Sequence, residues 1–424
     1  MKIEQIIIKN FKGFEDKTFT LNERMTVFIG ENAKGKTSVL DALAIAAGSF
    51  LRGIDVAKHE ARSINKNEIR VKTIEGQPRP QLPVEITAFG VVNNKKMDDG
   101  WLRSVEQITP KTTTTFVKAK NIELEAKAML KESRAKGGVT FPVIAYHGTG
   151  RLWAEHEEKK AIYRKQGEGV EMAYLKCLSP KSSSKEFLSW YKTFEDEVRK
   201  FNEADNKLFL ETFNECIISM IPDKHWQKMA FSFKDDDIIG FFTTPEGKRE
   251  RLLFSQLSDG YRNVIGMVAD IAYRCIKLNP HLGKNAIKET PGFVLIDEID
   301  LHLHPIWQRR IVNDLKNTFP LIQFVATTHS PFIVQSLKSD EVWNLDKIMD
   351  VAPNELKIDT VSTEIMGVPN PYSETNLELF DKSKVFLSNL EAGKAGNELQ
   401  KELEDIADPA VRAFLELNKL SKEK

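Results

Sequence analysis

Cysteine is scarce: Cys177, Cys216 and Cys275 lie far apart and form no CxxC pair. That usage fits a reducing compartment and argues against a disulfide framework or a thiolate zinc site. Net charge is missing too. The 61 Lys and Arg residues balance 61 Asp and Glu, so no global field draws the chain onto nucleic acid or an acidic membrane, although a local basic patch is allowed. No apolar run reaches the roughly 18 residues of a membrane span. The first residues, strand-like from Lys2 to Ile8, lack the charged leader and apolar stretch of a signal peptide. These absences predict a cytoplasmic protein without a membrane partner. No internal repeat stands out, and no segment carries the heptads of an extended coiled coil.

What is present is a chain of 424 residues, 41% hydrophobic, enough for two or three ordinary domains. Ile3–Ile8 and Met25–Ile29 read as strands, with an aromatic turn at Phe11–Phe14 expected to be exposed. After Gly35 a helix is predicted, with Val39, Leu40, Leu43 and Ala47 on one apolar face. Leu82–Val92 and Phe141–Tyr146 read as further strands, while residues 93–140 read as a polar excursion from the core, with a charged helical stretch near Ile122–Lys136. From about 160 to 228 the apolar spacing is helical, with Phe187, Tyr191, Phe194 and Val198, then Phe209, Phe213, Ile217 and Met220. Two short strands are expected around Phe231 and Ile239, 251–350 reads as a compact α/β stretch, and 351–424 reads as a helical tail.

Gly30-Glu31-Asn32-Ala33-Lys34-Gly35-Lys36-Thr37 satisfies G-x-x-x-x-G-K-[ST] between a strand and a helix. Backbone N–H groups of such a loop ring a phosphate, and the helix N-terminus adds partial positive charge. Gly30, Asn32, Lys34, Gly35 and Ser38 are thus candidate nucleotide contacts. Lys36 would neutralise the β- and γ-phosphates of ATP, and Thr37 would ligate Mg²⁺. Phe293-Val294-Leu295-Ile296-Asp297-Glu298 reads as a buried parallel strand with two carboxylates at its end, where ligands sit in open α/β sheets. Asp297 would hold Mg²⁺, and Glu298 would orient the attacking water. Leu257-Ser258-Asp259-Gly260-Tyr261-Arg262 opens a helix that Ser258 is placed to cap. Gln323–Thr328 reads as another buried strand, leading into His329.

In that order these segments resemble the RecF/SMC-like branch of the ABC ATPases. The fold implied is α/β: an ABC-type P-loop head with an antiparallel β lobe, a helical insertion and a helical C-terminal tail. The boundaries expected are 1–160 for the first lobe, 161–228 for the insertion, 229–350 for the second lobe and 351–424 for the tail. The resemblance implies that Ser258 and Gly260 contact the γ-phosphate held by a second subunit, and that His329 is a switch residue beside it. It also implies a glutamine after the strand Phe141–Tyr146, where this chain has His147 instead, with Arg151 nearby as a further candidate contact. His302 and His304 alternate as on a strand, but no accompanying carboxylate or cysteine cluster suggests a metal site.

Asp297–Pro305 and Thr328-His329-Ser330-Pro331 are similar to the stand-alone ATPases of bacterial defence systems, notably the PtuA family of the Septu anti-phage system. Those ATPases work with an HNH nuclease, PtuB. Residues 336–424 contain no Asp-x-Asp for a two-metal nuclease, so the effector would come from such a partner. The partners implied are a second copy of the chain, head-to-tail or in a larger homo-oligomer, an HNH nuclease subunit, and DNA reached through the complex. Two other readings stay open: a repair ATPase that clamps DNA directly, and a nucleotide sensor that does not hydrolyse ATP.

Overall fold

Two β-sheets enclose the helix that follows the glycine-rich loop, in a computed structural model describing residues 1–422 except 56, 110–113, 153–169, 181–183, 202–203, 222–224, 245, 350, 370–373, 393–395, 405 and 407. The chain divides into two units, Met1–Val361 and Ser362–Lys424.

In the larger unit five parallel strands run in the order Val342–Asn344, Met25–Ile29, Ile322–Thr327, Gly292–Ile296 and Val143–His147. The last four are buried along their whole length, as befits apolar strands covered on both faces. The register sets Val294 beside Phe324 and Phe324 beside Met25. The carboxyl ends of these three strands therefore lie side by side, and the glycine-rich loop, Asp297-Glu298 and His329 each follow one of them.

A second sheet is antiparallel, in the order Phe14–Thr20, Lys2–Phe11, Val84–Val92 and Lys95–Val105. Gln323 stitches the sheets together: its amide accepts from Ile3 N at 2.8 Å and donates to the carbonyls of Ile3 and Asn22, each at 2.8 Å. Helix Lys36–Leu51 packs against both sheets, and every residue from Val39 to Leu51 is buried. The single apolar face expected from sequence is therefore replaced by burial all round. Small residues at Ala42, Ala44, Ala46, Ala47 and Gly48 let both sheets approach.

The charged helical stretch expected near Ile122–Lys136 is the helix Lys120–Lys136, whereas Lys95–Val105 forms a sheet-edge strand where a polar excursion is expected. Trp101 and Arg103 are fully buried and donate to helix carbonyls, Trp101 Nε1 to Ala46 at 3.0 Å and Arg103 to Ile45 at 3.0 Å. The first half of Lys95–Val105 is charged and mostly exposed and only the second half is buried, so no alternation announces the strand. The turn aromatics expected to be exposed are buried: Phe11 at 0% and Phe14 at 8%. Phe14 packs edge-on against Phe19 and under the glycine-rich loop.

Tyr146 and His147, adjacent on the edge strand, point to opposite faces as a pleated strand requires. The Tyr146 hydroxyl reaches Asp41 of helix Lys36–Leu51 at 3.4 Å. His147 reaches Asp270 of the long helix Asp259–Leu278 at 3.6 Å. The parallel sheet thus has one helix on each side. Helices Ser184–Phe201 and Ala204–Met220 follow, then a three-stranded antiparallel sheet of Trp226–Ser232, Asp237–Thr243 and Arg249–Leu253 that leads into the long helix.

The smaller unit contains helices Glu374–Glu391, Gly396–Glu404 and Pro409–Lys422 around a core of Phe386, Leu399, Leu403, Ile406 and Leu415. Leu387 and Leu390 pack on that core, whereas Leu377 and Phe380 are exposed. Among the described residues no helix is long and apolar enough to cross a membrane.

Candidate active site

The loop between strand Met25–Ile29 and helix Lys36–Leu51 is bent by backbone that favours glycine. Gly35 has φ 99°, and a Cβ there would lie 2.7 Å from the Phe14 ring. Ala33 has φ 67°. Glu31 to Lys34 are exposed, Gly30, Gly35 and Ser38 half-buried, and Lys36 buried. Lys36 Nζ donates back to the carbonyls of Gly30 at 2.7 Å and Glu31 at 2.9 Å. Partial burial pushes its ammonium below the ordinary lysine range, against the pull of Asp346, Asp297 and Glu298.

Asp346, which sequence reasoning missed, holds the outer side of this loop. Its carboxylate accepts from Glu31 N at 2.7 Å and pairs with Lys34 at 3.1 Å. The hydrogen bond with Asp346 raises the Lys34 ammonium above its ordinary range. Only the strand order, which sets Val342–Asn344 beside Met25–Ile29, brings Asp346 here.

The acidic pair meets the loop from the neighbouring strands. Thr37 Oγ1 lies 3.0 Å from Asp297 Oδ2, and Thr327 Oγ1 donates to Asp297 Oδ1 at 2.6 Å. Thr327 Oγ1 also accepts from Glu298 N at 2.8 Å. Glu298 has φ 48°, a left-handed conformation costing about 1–2 kcal/mol for a residue with a Cβ. The turn that follows is tied to the adjacent strand's end by Thr328 Oγ1 donating to Asp300 at 2.5 Å. His329 is exposed, while its neighbours Thr328 and Ser330 are buried. Ser330 caps the short helix Pro331–Val334 and donates to Gln308 at 2.6 Å.

Three expectations need correction. Ser258 stands at the N-cap of helix Asp259–Leu278 but makes no side-chain cap bond, so its exposed hydroxyl is left for other contacts. His147 is buried and directed at Asp270, not at the end of the sheet. The strand pleat turns this side chain onto the face covered by helix Asp259–Leu278, so it does not stand in for the expected glutamine. His304 caps helix Pro305–Gln308, its Nδ1 accepting from Ile306 N at 3.3 Å. The side chain of Arg151 lies outside the described residues.

Lys36, Thr37, Asp297, Glu298 and His329 are therefore gathered at one sheet edge. Ser258 and Gly260 belong to a separate cluster: among the described residues no hydrogen bond or ion pair joins them to the loop 30–38. The paired oxygens of Thr37 and Asp297 suit a hard divalent cation. The glycine-rich turn at a helix N-terminus suits a polyphosphate.

Two family models, both of AAA domains, match residues 5–215 and 185–335; the description of the second adds the AbiEii toxin of a type IV TA system. Matches of that kind, over a loop and acidic strand arranged as above, decide the class. The chain is an ATPase. This ATPase is 27% identical to the "Retron Vc95 probable ATPase" of Vibrio cholerae, over 81% of its own length and 73% of that relative's. It is 27% identical to the Septu protein PtuA of Bacillus mycoides, over 95% of its own length. The chain spans about half the length of that relative. A shorter match, 30% identical over 20% of the ATPase and 24% of the relative, links it to the DNA replication and repair protein RecF of Lactococcus lactis.

Proposed function

We propose that this ATPase is the nucleotide-driven subunit of an anti-phage defence complex, pairing with a second copy and regulating a separate HNH nuclease. The observation that carries the reading is the division of the site. Lys36, Thr37, Asp297, Glu298 and His329 share one sheet edge, whereas among the described residues no hydrogen bond or ion pair joins the exposed Ser258 to its own glycine-rich loop. A half-site of that kind is completed by the Ser258 and Gly260 of another copy. The names of the relatives, a retron ATPase and a Septu protein, support the defence setting.

Mg²⁺, held by Thr37 and Asp297, would neutralise charge on the phosphates of ATP. The chain's own groups do the rest. The N–H groups from Gly30 to Ser38, with Asn32 and Lys34 at the rim, cradle the phosphates. Lys36 exchanges the carbonyls of Gly30 and Glu31 for phosphate oxygens. Glu298, fixed through its backbone by Thr327, orients the attacking water, and His329 steadies the γ-phosphate. Such catalysis is positioning plus electrostatic stabilisation. Closing and opening of the pair then exposes or hides the nuclease, which engages helical parts such as the Leu377 and Phe380 face, and the nuclease brings DNA into the complex.

The reading expects an HNH open reading frame beside this gene, and the test is phage plating on cells that carry both. Protection should be lost with Lys36→Ala or with deletion of the nuclease. Full protection by the Lys36→Ala chain would refute the reading.

A further inference from the structure

We infer that Tyr261 and Asn263 are positioning residues that link each protomer's Ser258 turn to its own Glu298. Through them, engagement of the nucleotide on one subunit is felt at the water-orienting carboxylate of the other. The inference rests on the paired-site reading.

Two contacts join the start of helix Asp259–Leu278 to the turn after Glu298, and a third ties it to the helix that follows that turn. A Cβ on Gly260 would lie 2.5 Å from the carbonyl oxygen of His302, so the two backbones touch and only glycine fits. Asn263 Nδ2 donates to the carbonyl of Leu301 at 2.7 Å, and Asn263 is buried. The Tyr261 ring meets Trp307 edge-on, centroids 4.6 Å apart at 61°, and lies nearly parallel to Trp226 at 6.1 Å. Tyr261 is thus held between the three-stranded sheet and the helix that begins at Pro305.

The turn that receives these contacts is short and over-determined. His302 has φ 61° and Glu298 φ 48°. Leu301 N donates to the Glu298 carbonyl at 3.0 Å, and Leu303 N to the Asp300 carbonyl at 2.9 Å. A displacement of Ser258 moves Gly260 and Asn263 on the first helical turn. It cannot do so without moving the Leu301 and His302 carbonyls, three and four residues from Glu298. Backbone contact, a buried hydrogen bond and ring packing transmit displacement because packed interiors deform little.

The ATP dependence of steady-state hydrolysis tests this. The wild-type chain should show a Hill coefficient above 1, with two as the limit for paired sites. Tyr261→Leu and Asn263→Asp should bring it to about 1 and lower kcat. Both should leave ATP binding intact, together with ATP-induced pairing measured in a Glu298→Gln background. Tyr261→Phe, which keeps the ring, should retain the wild-type coefficient and thereby separates loss of the link from misfolding. A paired wild type with a coefficient of 1, or Tyr261→Leu and Asn263→Asp chains that keep the wild-type coefficient, overturns the inference alone. A Glu298→Gln chain that stays single with ATP overturns the paired-site reading and the inference with it.

Discussion

Thr37 and Asp297 are separated by 260 positions in the chain, yet Thr37 Oγ1 lies 3.0 Å from Asp297 Oδ2. Parallel pairing brings them together: Gly292–Ile296 lies beside Ile322–Thr327, which lies beside Met25–Ile29. Two oxygen donors so placed at the mouth of the glycine-rich loop would define where the proposed divalent cation sits. Asp297→Asn should lower kcat for ATP by ~10²–10³ and weaken Mg²⁺ dependence, while ATP binding in EDTA is retained. Phosphate-release kinetics across a Mg²⁺ titration check this. A variant with wild-type Mg²⁺ response would remove Asp297 from the metal site.

Glu298 is held in a left-handed conformation with its N–H on Thr327, which fixes the backbone that carries the carboxylate. Glu298→Gln keeps the shape and removes the charge. Single-turnover hydrolysis should slow by ~10² or more, with nucleotide affinity unchanged. Hydrolysis at the wild-type rate would assign the water-orienting role elsewhere.

Gly35 faces two constraints at once, φ 99° and the Phe14 ring. Gly35→Ala should destabilise the chain by about 1–3 kcal/mol from backbone strain, with added cost from the ring contact. It should also weaken binding of a fluorescent ATP analogue. Introducing Phe14→Leu into that variant should recover the steric part only. Thermal melts of the four chains measure the split, and an additive cycle would show that the ring contact does not matter.

Asp270 gives a pH signature. Burial opposes its charge, but Arg274 and then His147 outweigh that and hold the carboxyl below its ordinary value of 3.8. The folded chain therefore binds fewer protons than the unfolded chain just below that pH, and stability rises with pH through this window. The contribution is complete above about pH 4 and is lost as pH falls through the folded value. Asp270→Asn should be less stable than wild type near neutrality, and the gap should close towards pH 3. Denaturant midpoints at several pH values check it; a gap that widens in acid contradicts the assignment.

Much of this site is written in short local patterns. The loop Gly30–Thr37, the apolar strand before Asp297 and the strand before His329 each combine a periodicity with residues of one chemistry, so their placement at a common sheet edge follows from the α/β rule. What the sequence conceals is set by tertiary neighbours. Asp346 is one carboxylate among 61 acidic residues until the sheet order brings it to the loop. Arg103 disguised a buried strand because a guanidinium can be satisfied by helix carbonyls. His147 looked like a stand-in for glutamine, but its direction depends on strand pleat. Phe14 looked exposed because nothing local announces that Gly35 sits over its ring.

The pairing itself is tested most directly by mass in solution. Sedimentation of Glu298→Gln with Mg²⁺ and ATP should give at least twice the single-chain mass, reverting without nucleotide. Adding Ser258→Arg should leave a single chain that still binds ATP. If ATP leaves the mass unchanged while the wild-type chain hydrolyses at full speed, or if the Ser258→Arg chain pairs as before, the divided site is contradicted.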